Sequence, residues 1–147
     1  MPKVAYDIDG VLCPMPKRDK PFFKQNGVER NKYKKLKQEH FMFCPVLMRP
    51  KEKTFYLITG RKEHERGITE EWLENNEIKP KEVRYMTGSL TFKNILAHKI
   101  KSIKELGIDT FYEDDPKLVR YLRKAIPELT IIHIPRDENN VKILLDK

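Results

Sequence analysis

Asp7 and Asp9 stand two residues apart at the end of a short apolar run, Lys3-Val4-Ala5-Tyr6, and Gly10 follows them. Strand period places both side chains on one face, so their charges repel unless a cation sits between them or a proton is shared. A turn needs only one aspartate, and the second marks a site. Further along the chain, Thr59-Gly60-Arg61 offers a hydroxyl, backbone N–H groups and a cation, and Glu113-Asp114-Asp115 offers a second acidic cluster.

These residues need elements to carry them. Lys53–Thr59 predicts a second buried strand, with a helix after Gly60 whose Ile68, Trp72 and Leu73 share a face up to Asn75-Asn76. Glu82–Met86 suits a third strand. Asn94–Leu106 predicts a helix with Leu96, Ile100 and Ile103 on one stripe and Gly107 as its stop. Thr110-Phe111-Tyr112 is the fourth strand, and Pro116 opens a helix carrying Leu118, Val119 and Leu122. Thr130–Ile134 is the fifth strand, and Val141–Leu145 suggests a short C-terminal helix. Strands alternating with helices predict an α/β Rossmann-like three-layer sandwich around a central parallel sheet. In such sheets ligands gather at the carboxyl ends of the strands, where all three polar clusters fall.

Residues 13–52 break the alternation with Pro14, Pro16, Pro21, Pro45 and Pro50. They read as a small basic insertion within a single 1–147 domain, with a short helix over about Glu29–Phe41, lying over or beside the site. Between Lys17 and Lys37, nine basic residues face two acids, so this window holds nearly all of the net charge of +8. Such a patch concentrates anionic partners, although a lysine-rich solvated face has the same composition. No apolar run approaches the roughly 20 residues that cross a bilayer, and no secretory signal is visible. Cys13 and Cys44 are too few for a disulfide scaffold, which suits a reducing cytoplasm. His40, His64, His98 and His133 show no HxxxH spacing and read as structural or surface residues. Cys13 reads as a small apolar filler and Trp72 as core.

Together, Asp7-Ile8-Asp9-Gly10-Val11-Leu12, Leu57-Ile58-Thr59-Gly60-Arg61, a lysine early in the Asn94–Leu106 helix and Glu113-Asp114-Asp115-Pro116 resemble the four motifs of the haloacid dehalogenase superfamily in its phosphatase branch. Order and spacing agree over about residues 1–12 and 53–135. The resemblance implies a phosphomonoester hydrolase in which Asp7 attacks phosphorus and Asp9 serves as general acid and base. It also implies Mg²⁺ held by Asp7, the Asp9 backbone carbonyl and Asp114. Asp115 would be a further ligand or support one, and Glu113, still on the strand, is left out. Thr59 and Lys99 would face the transferred phosphoryl oxygens. Lys101, and less so Lys93, compete for the place given to Lys99.

Substrate choice in the resembled family rests largely on inserted caps. An insertion of this size implies an open site, and its basic window points to a nucleotide or a phosphorylated nucleic-acid end. Thr-Gly-Arg before a helix with Thr69, Trp72 and Leu73 is similar, more weakly, to the 3′-phosphatase domain of phage-type polynucleotide kinase/phosphatase, which would give Gly60 and Arg61 to the substrate. A helix N-terminal surface arginine is the competing reading of Arg61. No GxxxxGK[ST] segment exists here, so a kinase activity would need another polypeptide. The alternative is a catalytically weak module of the same fold that binds nucleic acid or another polyanion.

Overall fold

A computed structural model describes residues 2–15 and 27–135. Five strands form one sheet: β1 (Val4–Tyr6), β2 (Tyr56–Lys62), β3 (Glu82–Met86), β4 (Thr110–Glu113) and β5 (Thr130–His133). Their order across the sheet is β3-β2-β1-β4-β5, and every pairing is parallel. Among the described residues, four helices accompany them: α1 (Gly27–Phe43), α2 (Arg66–Asn75), α3 (Phe92–Leu106) and α4 (Pro116–Ala125). This is the α/β Rossmann-like arrangement that the alternating pattern predicts.

Alternation along the strands divides the core into two layers. Val4, Tyr6, Leu57 and Tyr112 pack with Trp72 and Leu73 of α2. Ala5, Tyr56, Ile58 and Phe111 pack with Ile103 and Leu106 of α3 and with Val119 and Leu122 of α4. The inserted α1 packs against α2, outside the sheet. Trp72 is core, as expected, and its indole N–H donates to the Cys44 carbonyl at 2.8 Å. Gly107 ends α3 in the left-handed region at φ 70°, which a residue without Cβ adopts at little cost.

Two boundaries differ from expectation. β2 starts at Tyr56, where pairing with Ala5 begins, and Lys53 and Thr54 lie exposed before it. It also runs past Thr59 to Lys62, so Gly60 and Arg61 lie within the strand rather than at its exit. The ladder to β3 shifts register between Ile58 and Lys62. A buried contact of Arg61, described below, holds this extension extended, and α2 opens only after a short 3₁₀ turn at Glu63–Glu65. The expected Val141–Leu145 helix and the first part of the basic window lie outside the described residues. Among the described residues, no helix is long and apolar enough to cross a membrane.

Candidate active site

β1 and β4 are neighbours in register, Tyr6 beside Tyr112, with their rings stacked 4.2 Å apart. The next residue on each strand is an acid, Asp7 on one and Glu113 on the other. Parallel pairing therefore brings these two carboxylates to the same end of the sheet, and Asp114 follows directly. All three are buried, and one carboxylate oxygen from each lies within 4.8 Å of the others. Asp7 Oδ1 accepts the Ile8 N–H at 2.8 Å, and Glu113 Oε2 accepts the Asp114 N–H at 3.0 Å, so local bonds aim both side chains.

Lys99 reaches this group from α3. Its ammonium lies 2.5 Å from Glu113 Oε1 and 3.2 Å from Asp7 Oδ2, with the side chain buried. Burial alone would lower its pKa, but the charges of Asp7 and Glu113 outweigh that and raise it, so Lys99 is a fixed cation. Lys93 and Lys101 are exposed, which separates them from Lys99. Three carboxylates and one ammonium share this buried space. The carboxyl of Asp7 is accordingly pushed well above the usual range, first by burial and next by the Glu113 charge, with Lys99 opposing.

That donor set fits a hard divalent cation. Each of the three acids offers an oxygen ligand atom, and Mg²⁺ is held in this way by carboxylates and water. Asp7, Glu113 and Asp114 would hold it. Glu113, set aside in the sequence reading, belongs to this group, and the shared pattern Ala-Tyr-Asp and Phe-Tyr-Glu on two neighbouring strands was its signal. Asp115 sits differently: it caps α4, its Oδ1 accepting the Lys117 N–H at 2.9 Å. A capping carboxylate already has its donor and stabilises the helix end.

Gly10 makes the acidic group possible. At φ 85° it sits where side chains are strained, and a Cβ there would lie 2.0 Å from Asp114 Oδ2. Gly10→Ala is therefore expected to displace the Asp114 carboxylate and to weaken Mn²⁺ binding at least tenfold. Isothermal titration calorimetry of both proteins measures this, and equal affinities would count against the placement of Asp114.

Asp9 belongs to a second, adjoining arrangement. The Arg61 guanidinium grips it with two bonds, Nε to Oδ2 at 3.0 Å and one Nη to Oδ1 at 2.8 Å. The same guanidinium donates to Thr69 Oγ1 at 3.0 Å and to Cys13 Sγ at 3.6 Å, and it stacks on the Phe41 ring with 3.6 Å to the centroid. Burial would raise the Asp9 carboxyl, but the charge and hydrogen bonds of Arg61 outweigh it and hold Asp9 below the usual range. Arg61 was expected at the substrate. In this geometry it is only 3 % exposed and its donors are spent on Asp9, Thr69 and Cys13. Phe41, which the sequence placed only at the end of a short helix, brings α1 onto this pair.

Thr59 is fully buried at the end of this layout. Its Oγ1 accepts the Arg61 N–H at 3.0 Å, and its carbonyl accepts from His98 Nε2 at 2.9 Å. Gly60 beside it is half-buried, with Ile95 4.0 Å from where a Cβ would stand. His98 thus braces Thr59 from α3, one residue before Lys99. His133 similarly contacts the Asp114 carbonyl at 3.0 Å.

The fold has solved counterparts. A chain of the Pnkp1/Rnl/Hen1 complex superposes with a TM-score of 0.60 at 16 % identity, over 92 % of this chain and 46 % of that one. A chain of the Pnkp1/Rnl/Hen1 RNA repair complex gives a TM-score of 0.59 at 18 % identity, over 92 % and 43 %. This protein thus spans less than half the length of either, and the likeness is one of fold. No family model matches the chain, and no curated protein matches it in sequence.

Proposed function

We propose that this protein is a Mg²⁺-dependent phosphatase that removes a phosphate from the end of a nucleic acid through an aspartyl-phosphate intermediate. The observation that carries this reading is the buried group of Asp7, Glu113 and Asp114 around Lys99, with the Asp9–Arg61 pair beside it. A carboxylate nucleophile, a second carboxylate for proton transfer, a fixed cation and oxygen ligands for a divalent ion are the parts that phosphoryl transfer to an aspartate needs. The likeness in fold to chains of an RNA repair complex supports the choice of substrate class.

In the first half-reaction, a carboxylate oxygen of Asp7 forms a bond to phosphorus while the bond to the leaving ester oxygen breaks. Asp9 delivers a proton to that oxygen. In the second, Asp9 takes a proton from water, the water oxygen bonds to phosphorus, and the bond to Asp7 breaks to release inorganic phosphate. A bound Mg²⁺ would offset charge on the phosphoryl oxygens, and Lys99 does the same with its ammonium. Arg61 keeps Asp9 ionised at rest, the form suited to the second half. The negative charge of an arriving phosphate opposes this and raises the Asp9 carboxyl toward the protonated form suited to the first. Arg61 thereby orients Asp9 from its buried place.

A route for the polyanion lies next to the acids. A groove of about 530 Å³ is lined by Arg120, Arg123 and Lys124 of α4 and by His133, which touches the Asp114 carbonyl. Its cations supply positive charge beside His133. Replacing Arg120 and Arg123 by Gln is expected to weaken oligonucleotide binding and to flatten its log–log salt slope by about 1.4, from two phosphate contacts on a single strand. Fluorescence anisotropy at several salt concentrations reads this, and an unchanged slope removes the groove from the path.

The reading is tested by following phosphate release from 3′- and 5′-phosphorylated oligonucleotides and from nucleoside monophosphates, with and without Mg²⁺. Release from an oligonucleotide end that needs Mg²⁺ and is lost in Asp7→Asn is the expected result. Wild type as inert as Asp7→Asn across Mg²⁺, Mn²⁺ and Co²⁺ would leave only a polyanion-binding module.

A further inference from the structure

The insertion meets the loop after β1 at three side chains that the phosphatase reading does not use. Cys13 follows the Asp9–Gly10 turn, and His40 and Cys44 stand four residues apart at the C-terminal end of α1, hence on one face. One ligand atom from each lies within 4.8 Å of the others, and both cysteines are free and buried. We propose that Cys13, His40 and Cys44 form a site for a thiophilic divalent ion, zinc above all, that fastens the insertion to the catalytic loop.

Ligand chemistry separates this site from the acidic one. Two thiolates and an imidazole are soft donors of the type zinc takes, whereas Asp7, Glu113 and Asp114 present only oxygen. Around a tetrahedral zinc, with bonds of about 2.0–2.3 Å, ligand atoms stand roughly 3.5–3.8 Å apart. A present spacing within 4.8 Å leaves about 1 Å of closure, which rotamer adjustment supplies. The two thiolates balance the charge of the ion, so the buried site stays neutral.

The surroundings are also those of a metal-binding histidine. His40 Nε2 lies 2.8 Å from the Pro14 carbonyl. A carbonyl only accepts, so in the neutral ring Nε2 carries the proton and Nδ1 the lone pair. A ligating histidine holds its other ring N–H on a carbonyl or carboxylate in this way. Cys13 Sγ receives an N–H from Arg61 at 3.6 Å, a donor that favours the thiolate. Asp9 Oδ1 at 3.6 Å and the Ile8 carbonyl at 3.8 Å accept from Cys13 Sγ and disfavour the thiolate when no cation is present. The protein supplies three ligands and solvent the fourth.

The consequence reaches the Asp9–Arg61 pair. Phe41, whose ring covers Arg61, lies between His40 and Cys44 in the chain, so an ion gripping both holds the ring in place. This inference stands apart from the phosphatase reading, because metal binding is read without turnover.

The full chain, kept reduced and stripped by a chelator, is titrated with Co²⁺ in excess Mg²⁺. One equivalent should produce a thiolate-to-cobalt charge-transfer absorption, which Zn²⁺ then abolishes by displacement. Cys13→Ser and Cys44→Ser should lose the band. His40→Ala should weaken affinity by at least the roughly tenfold seen when only an outer partner of a ligand is lost. Asp7→Asn should leave the band intact, since oxygen donors produce none. A wild-type protein that shows no such band overturns the proposal, whatever the variants do. A band that persists in Cys44→Ser overturns it as well.

Discussion

Asp7→Asn is expected to lower the rate of phosphate release by about a million-fold, as loss of a nucleophile does, while making the metal-free protein more stable. The two effects share one cause. Asp7 is buried beside Glu113 and Asp114, and its carboxyl is raised well above its ordinary value of 3.8. Ionising it in the folded state is therefore unfavourable unless a cation is supplied. Asparagine keeps the oxygen that accepts the Ile8 N–H and removes the charge.

The sign follows from linkage. With a folded-state pKa above the unfolded one, the protonated carboxyl stabilises the fold below about pH 4, and that contribution is lost as pH rises through the folded-state value. The gap between Asp7→Asn and wild type should therefore be small in acid and open with rising pH, reaching about 1–2 kcal/mol, or roughly 3–8 °C in Tm. Saturating Mg²⁺ should narrow or reverse it, because the ion binds the ionised form of wild type. Thermal melts across pH, in chelator and in Mg²⁺, measure all of this. A less stable Asp7→Asn at neutral pH in chelator would mean that the acidic group is not the strained, cation-seeking cluster described here.

Arg61→Ala is expected to destabilise the fold by about 3–5 kcal/mol, because it strands the Asp9 carboxylate without its cation and opens a cavity under Phe41. Against a total stability of about 5–15 kcal/mol that is a severe loss. Arg61→Lys should recover only part of it, since an ammonium cannot supply two parallel bonds to Asp9 and also reach Thr69 and Cys13. The pH signature is opposite to that of Asp7. The Asp9 carboxyl is held low, so its contribution is present above about pH 4 and disappears as pH falls through the folded-state value. Denaturant titrations should thus show the deficit of Arg61→Ala shrinking in acid.

A paired replacement separates stability from chemistry. Asp9→Asn with Arg61→Met removes both charges, so it should be far more stable than Arg61→Ala alone and yet release no phosphate. If Arg61→Ala folds as stably as wild type and merely raises KM, Arg61 is a substrate contact and not the clamp on Asp9.

Asp7, Asp9, Thr59, Lys99 and Asp114, the residues proposed for the site, stand out in the chain because strand ends and helix starts put chemically able residues at predictable places. The five strands were legible for the same reason, through their short apolar runs. Spacing along one segment, however, carries no information on which distant side chain meets it. Lys101 and Lys93 were set apart from Lys99 only when α3 packed on the sheet and turned Lys99 inward. Glu113 entered the acidic group only through the register of β4 against β1. Asp115, within the same acidic run, was drawn off to cap α4.

Arg61 shows the limit most clearly. A Thr-Gly-Arg turn at the surface and a strand extension that buries its arginine have the same residues. The choice between them depends on Asp9 from the loop after β1, Thr69 from α2 and Phe41 from the insertion arriving together around one guanidinium. Local sequence determined which groups could do chemistry and at which end of the sheet. Tertiary packing decided their partners, because desolvation and pairing of buried charge are properties of neighbours far apart in the chain.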